Sequence, residues 1–232
     1  MIRGLYSAAG GMQAMSIQQD ATAHNVSHAM KPGYRREVVS FESIGWKQDL
    51  VSPSATMTTD YTPGIHEYTG GRLDAALDGD GFFSVQGPGG PLYTRAGIFQ
   101  LNGLGQLVTP DGLRVEGTGG PISLPLDTEV NELEILPNGN LVLAGNPVGR
   151  LKVSTFEDMN QVERAGSSFL QPLPDNKVIP SKASVRQGYR ELGNTTVVHE
   201  MVQMISGARL FEAAQRAITQ ISDTISLNTR PR

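Results

Sequence analysis

The chain has 232 residues, of which 27 are Gly and 14 Pro, with 38% apolar residues and no Cys. That Gly and Pro content favours short strands and turns over a large helical or doubly wound core. The missing thiols exclude disulfide staples, thiolate nucleophiles and Cys-based metal sites. A formal net charge of -4 removes the electrostatic footprint that nucleic-acid binding needs, so no nucleic-acid partner is expected.

The first segment carries an apolar 3-4 spacing through Ile2, Leu5, Ala9, Met12, Ser16, Gln19, Ala23, Val26 and Met30, which predicts one helix over residues 2 to about 30 with a coiled-coil-like seam. At about 1.5 Å per residue it would be roughly 42 Å long. Lys31-Pro32-Gly33 ends it, because Pro cannot continue a helix and Gly permits the turn. Before Lys31 the only formal charges are Arg3 and Asp20, too few for a solvated surface helix, and Gly10 and Gly11 weaken its interior. Packing on neighbours must supply what propensity does not. Ser, Gln and Gly interrupt the N-terminus too often for a secretory h-region, and no stretch has the apolar length of a membrane span, so neither a cleaved signal nor membrane insertion is expected.

Residues 34–71 read as an extended connector. Glu37 to Phe41 is a strand, Ser52-Pro53-Ser54-Ala55-Thr56 a mobile loop, and Tyr61-Thr62-Pro63-Gly64 a turn before a second extended run through His66 and Tyr68. Residues 72–189 hold the densest strand signals. Gly81 to Gln86, the turn Gly87 to Gly90, and Leu92 to Arg95 make one hairpin. Ile98 to Leu101 and Gln106 to Thr109 make a second, and Glu132 to Ile135 with Leu141 to Leu143 flank the turn Asn138-Gly139-Asn140.

Asn194, Thr195 and Thr196 offer N-caps for a last helix reaching about Ser226 or Leu227, with Glu200 in its early turns. Its seam is Met201, Met204, Ala208, Phe211, Ala214, Ile218, Ile221 and Ile225. A narrow stripe at each end of the chain has nothing of its own to bury against, so the two helices should find each other or a neighbouring molecule. The fold class is α+β: residues 1–33 and 190–232 form a terminal helical domain, paired as a coiled-coil-like element, around a β-rich middle. The protein reads as a building block.

Chemistry finds little support. Asp78-Gly79-Asp80-Gly81 begins like a calcium loop, but Phe82 and Phe83 stand where an oxygen ligand and a Gly are needed. As a glycosidase pair Asp78 and Asp80 lack a sugar-binding context, and turn formation is the better reading. Asp20, His24 and His28 share one helical face and can be read as metal ligands, or as side chains that meet the helix C-terminal dipole. No nucleophile elbow or phosphate loop occurs. No cofactor and no catalysis are expected. The rivals are a metal or carboxylate enzyme using these residues and a monomeric peptide-binding module with a groove lined by Met12, Met15, Met30, Met201 and Met204.

Several linked motifs together resemble the bacterial flagellar rod and hook family, over nearly the whole chain. They are Leu5 to Met12; Ala23-His24-Asn25-Val26 with Pro32-Gly33-Tyr34; Leu73-Asp74 through Asp78-Gly79-Asp80-Gly81-Phe82-Phe83; and Tyr93-Thr94-Arg95-Ala96-Gly97. The closing region is Gln187-Gly188-Tyr189 with Glu191, Asn194, Glu200-Met201-Val202, Met204-Ile205, and Arg209 to Glu212-Ala213. The short run from Phe41 to Tyr61 resembles the proximal-rod type more than the distal rod or hook. Two runs depart from the family pattern, Ser27 to Lys31 and Gly207. The resemblance implies a subunit of the flagellar basal body, located in its periplasm-spanning rod. It also implies a tubular polymer with the terminal helices as its inner shell. The implied partners are other copies, other rod and hook proteins, and the flagellar type III export apparatus.

Overall fold

In the computed structural model, residues 2–46, 50–125 and 130–229 are described, with side chains over residues 8–41, 55–125 and 130–224. The chain divides into two units. A helical unit comprises Met1–Ala29, Arg35–Thr62 and Thr195–Arg232, and a β unit comprises Met30–Tyr34 and Pro63–Asn194.

In the helical unit, α1 runs over Ile2–His28 and α2 over Val197–Thr229. Between them in sequence, β1 (Glu37–Trp46) and β2 (Leu50–Thr59) form one antiparallel hairpin, in register from Glu37↔Thr59 to Trp46↔Leu50. The expected loop at Ser52 to Thr56 is therefore strand. Alternating Ser and Thr suit a half-exposed pleated surface, and Pro53 is tolerated because a two-stranded ribbon leaves each strand one free edge. A lone hairpin is marginal in water; here both strands pack against α1.

Of the three candidate caps on α2, Thr196 takes the position: its Oγ1 accepts from the His199 N–H at 3.3 Å. The Thr195 hydroxyl instead donates to the buried Glu200 carboxylate at 2.6 Å. The two helices lie against each other, and the last turns of α1 and the first turns of α2 line one small polar cavity, so they run in opposite directions.

The buried face of α1 consists of Ala14, Ala21, Thr22 and Asn25, with Ala29 buried just beyond its end, small residues that admit close approach. This is not the face picked out by the apolar spacing: Ala9 and Ala23 are exposed, and Met12 and Val26 are half-buried. On α2, Met204, Ala208, Phe211, Ala214, Ile218 and Ile221 are all half-buried on the side turned to α1, whereas Met201 is exposed. Ile2, Leu5 and Ile225 fall outside the described side chains.

The hairpin base is tied at Asp60. Its carboxylate accepts from the Thr62 N–H at 3.0 Å, the Thr62 hydroxyl at 2.7 Å and Arg36 Nε at 2.9 Å. Burial pushes this carboxyl up, but the Thr62 and Arg36 hydrogen bonds outweigh it and hold the group below its ordinary 3.8. A depressed folded-state pKa gives stability that is present above 3.8 and lost as pH falls through the lower folded value. Acid titration of unfolding should therefore show a shallower loss below pH 3.8 in Asp60→Asn than in the parent.

The β unit contains β3 (His66–Tyr68), β4 (Ala75–Asp78), β5 (Phe82–Gly87), β6 (Gly90–Thr94), β7 (Gln100–Leu101), β8 (Leu107–Val108), β9 (Arg114–Gly117) and β10 (Gly120–Pro121). These are followed by β11 (Leu133–Ile135), β12 (Asn140–Leu143), β13 (Asn146–Arg150), β14 (Val153–Phe156), β15 (Val162–Arg164), β16 (Phe169–Pro172), β17 (Val178–Pro180), β18 (Ser184–Gln187) and β19 (Tyr189–Glu191). Among the described residues the main sheet runs β15-β16-β6-β5-β9-β8-β7, with β10 on β9, β14 also on β5 and β17 on β14. The expected hairpins appear as β5/β6, β7/β8 and β11/β12.

Two ribbons join strands far apart in sequence, β4 with β18 (Asp78↔Ser184) and β3 with β19 (Tyr68↔Tyr189). The core they close is Leu77, Phe83, Val85, Phe99, Leu107, Val115, Leu133, Leu141 and neighbours, with Phe83 edge-on to Phe99 at 5.2 Å. The β12–β13 turn places Ala144 at φ 47, a left-handed conformation that Gly adopts without a Cβ penalty. Ala144→Gly should raise the thermal midpoint by about 2–4 °C for roughly 1 kcal/mol of relieved strain, measured by calorimetry.

Candidate functional site

Four family-like motifs that are separate in sequence meet in the β unit at one buried ion pair. Arg95, just beyond β6, is 4% exposed, and Glu191, the last residue of β19, is 0% exposed. Arg95 Nη1 donates to Glu191 Oε2 at 3.2 Å and to the Leu77 carbonyl at 3.2 Å, and Nη2 donates to the Gly79 carbonyl at 2.6 Å. The guanidinium also stands 5.3 Å over the Phe82 ring. Glu191 Oε1 accepts from the Gly64 N–H at 2.9 Å, and the Glu191 carbonyl accepts from the Gly33 N–H at 2.8 Å. Two charges removed from water are thus paired with each other, and each makes further hydrogen bonds to the backbone, the condition for tolerating them there.

Gly33 takes φ 66, and a Cβ on it would collide with the Ala96 backbone. Pro32-Gly33-Tyr34 is therefore both a helix stop and a close contact onto the Tyr93 to Gly97 segment. Tyr34 is fully buried beneath the Arg164 guanidinium, 4.8 Å from its ring, and its carbonyl accepts from the Asn194 N–H at 3.2 Å. Tyr93 packs edge-on to Phe156 at 5.0 Å, and buried Thr94 accepts from the Ala96 N–H at 3.0 Å. Gly97 lies where any side chain would strike the Ala75 carbonyl.

Leu73 packs on the core. The Asp74 carboxylate accepts from the Thr69 hydroxyl at 2.5 Å, while its carbonyl accepts from the Gly188 N–H at 2.8 Å. Tyr189 lies edge-on to Tyr68 at 5.2 Å, under Arg186. Asp78 and Asp80 are exposed at a bend whose backbone does the work: the Gly79 carbonyl serves Arg95, and the Asp80 carbonyl accepts from the Ser181 hydroxyl. Gly81 follows and leads into buried Phe82 and Phe83.

In the helical unit, Asn25 is 2% exposed, and its side-chain amide imitates a strand. Nδ2 donates to the Glu37 carbonyl at 2.9 Å and Oδ1 accepts from the Glu37 N–H at 2.8 Å, fastening α1 to the start of β1. His24 Nδ1 lies 3.2 Å from the Glu37 carboxylate, and His28 Nδ1 lies 3.0 Å from the His24 carbonyl. Asp20 is exposed and takes no part. Among the described residues no group of three His, Asp or Glu side chains is placed to hold a metal.

The outer side of α2 was not legible as a separate feature. Val198 is 72% exposed, Met201 50%, Val202 56% and Ile205 56%, at i, i+3, i+4 and i+7, the spacing of one apolar helix face. Arg209 and Glu212 continue this side, with Glu212 paired to Arg216 at 3.3 Å. Overlap between this second stripe and the half-buried one is what hid it in sequence. Likewise Glu191 stood in a motif, but its role as the partner of Arg95 needed the fold.

These features define a class: a protein whose motif residues serve buried structural joints, with an apolar helix face left open. Residues 76–143 match the family described as flagellar hook protein FlgE/F/G D1 domain, and residues 186–226 match the flagellar basal body rod FlgEFG protein C-terminal family. The flagellar basal-body rod protein FlgF of Salmonella typhimurium is 32% identical over 96% of this chain and 95% of its own length. FlgF of Escherichia coli is 31% identical over 96% and 95%, and FlgG of Bacillus subtilis is 26% identical over 94% and 95%. The chain belongs to the flagellar basal-body rod protein family, a structural rather than an enzymatic one. Among the described residues no helix is long and apolar enough to cross a membrane.

Proposed function

We propose that this chain is a structural subunit of the bacterial flagellar basal-body rod, of the proximal type, which polymerises through its terminal helices into the axial drive shaft. The observation that carries the reading is the open face of Val198, Met201, Val202 and Ile205 on α2. Contiguous exposed apolar surface of this kind marks an interaction site. Its partners are further copies and other rod and hook proteins. Identities of 32% and 31% to the FlgF of Salmonella typhimurium and of Escherichia coli, against 26% to the FlgG of Bacillus subtilis, support the proximal type, as does the short hairpin of β1 and β2.

The α1 segment is poor in helix propensity and held by small-residue packing and the Asn25 clamp. Order in α1 then follows from packing more than from propensity, which suits passage through the type III export apparatus as an unfolded chain. Incorporation is the test. A charge at Ile205 should leave the separate chain folded and remove it from purified basal bodies, whereas normal incorporation of that variant would overturn the reading.

A further inference from the structure

The helical unit presents two uncovered rows. On α2 the row is Val198, Val202, Ile205, Arg209 and Glu212; on α1 it is Ala9, Gln13, Ser16, Asp20, Ala23 and Ser27, all exposed and on the opposite side from buried Ala14, Ala21 and Asn25. Both advance in alternating steps of three and four residues. We infer that the outer row of α2 is covered by the outer row of α1 from a second copy, running antiparallel, with Asp20 of one copy facing Arg209 of the other.

Register and charge support this pairing. With Asp20 set opposite Arg209, antiparallel advance keeps the rows in step: Ala23 meets Ile205, Ser27 meets Val202, and Ser16 meets Glu212. Large apolar side chains on α2 then stand opposite small ones on α1, the complementarity that close helix packing needs. Asp20 and Arg209 are both exposed, and neither makes an ion pair or hydrogen bond within the described residues, whereas Glu212 is held by Arg216 and Glu200 by Thr195. Two unsatisfied charges of opposite sign, one per row, fix direction and register as charges do at coiled-coil flanks. One chain cannot satisfy them alone, because its own α1 meets α2 through other faces. The occupant is therefore a second copy, and the inference rests on the rod reading above.

The test uses the full chain in cells lacking the native copy, with its amount in purified basal bodies as readout. Asp20→Arg and Arg209→Asp should each lower incorporation about tenfold by opposing like charges, and the double exchange should restore it. As a second measurement, chains carrying Ala23→Cys and Ile205→Cys are co-expressed and mildly oxidised. With no native Cys, a mixed dimer of the Ala23→Cys and Ile205→Cys chains, resolved by a size tag on one chain from the dimers either chain forms with itself, reports the proposed contact. Restoration together with the cross-link supports the pairing. Single reversals that incorporate normally, or an exchange that fails to restore with no cross-link formed, overturn it, the latter pointing to a different rod protein as occupant. Absence of the unmodified chain from basal bodies would remove the rod reading itself and the pairing with it.

Discussion

Glu191→Ala should unfold the chain more readily by about 3–5 kcal/mol, because it strands the Arg95 guanidinium in a site that is 4% exposed. The same change leaves the Gly64 N–H without its acceptor. The thermal midpoint should fall by on the order of 10 °C. Arg95→Met combined with Glu191→Met should be milder than Glu191→Ala alone, since removing both charges leaves no unpaired ion. Urea unfolding of the single and double variants decides the matter: a double variant as damaged as the sum of the singles would show that the pair does not act as a unit. The expected scale follows from convergence. One carboxylate and one guanidinium tie Gly64, Leu77 and Gly79 together, so losing either releases more than one segment at once.

Ile205→Asp should have the opposite profile. The side chain is 56% exposed, so unfolding of the isolated chain should change by no more than about 0.5 kcal/mol. In an assembled rod the same position would bury a carboxylate without a partner, which costs several kcal/mol, and incorporation should fall by at least about a hundredfold. Met204→Asp supplies the contrast, because Met204 is half-buried on the side of α2 turned to α1; there both stability and incorporation should drop. Urea unfolding of purified chain and quantification in basal bodies separate the two variants. Equal behaviour of the Ile205 and Met204 variants would show that the two sides of α2 are not distinct.

The Asn25 clamp and the Arg95 junction also explain why motif residues so distant in sequence occur together. Asn25 replaces a strand neighbour for Glu37 at the point where the chain passes from α1 toward β1. Asp78 and Asp80, which invite a catalytic or calcium reading, flank a Gly whose carbonyl is the functional atom. In this conspicuous polar cluster the backbone makes the contacts, through the Gly79 and Asp80 carbonyls.

By itself the sequence determined the α+β class, both terminal helices, the three short hairpins of the β unit and the half-buried side of α2, because each depends on local periodicity or turn chemistry. Pro32-Gly33 and the Gly-rich turns could be read for the same reason: their constraints act within a few residues. Only the tertiary structure decided that Ser52 to Thr56 is strand, since polar Ser and Thr become ordered there through pairing with Ser40 to Ile44. Only it turned the small-residue face of α1 inward and left Ala9 and Ala23 outside; hydrophobic spacing ranks larger side chains first, but close helix approach selects the smallest. The pairing of Arg95 with Glu191 was likewise beyond sequence, because it joins residues separated by 96 positions, and nothing local to either says which opposite charge the fold will bring to it.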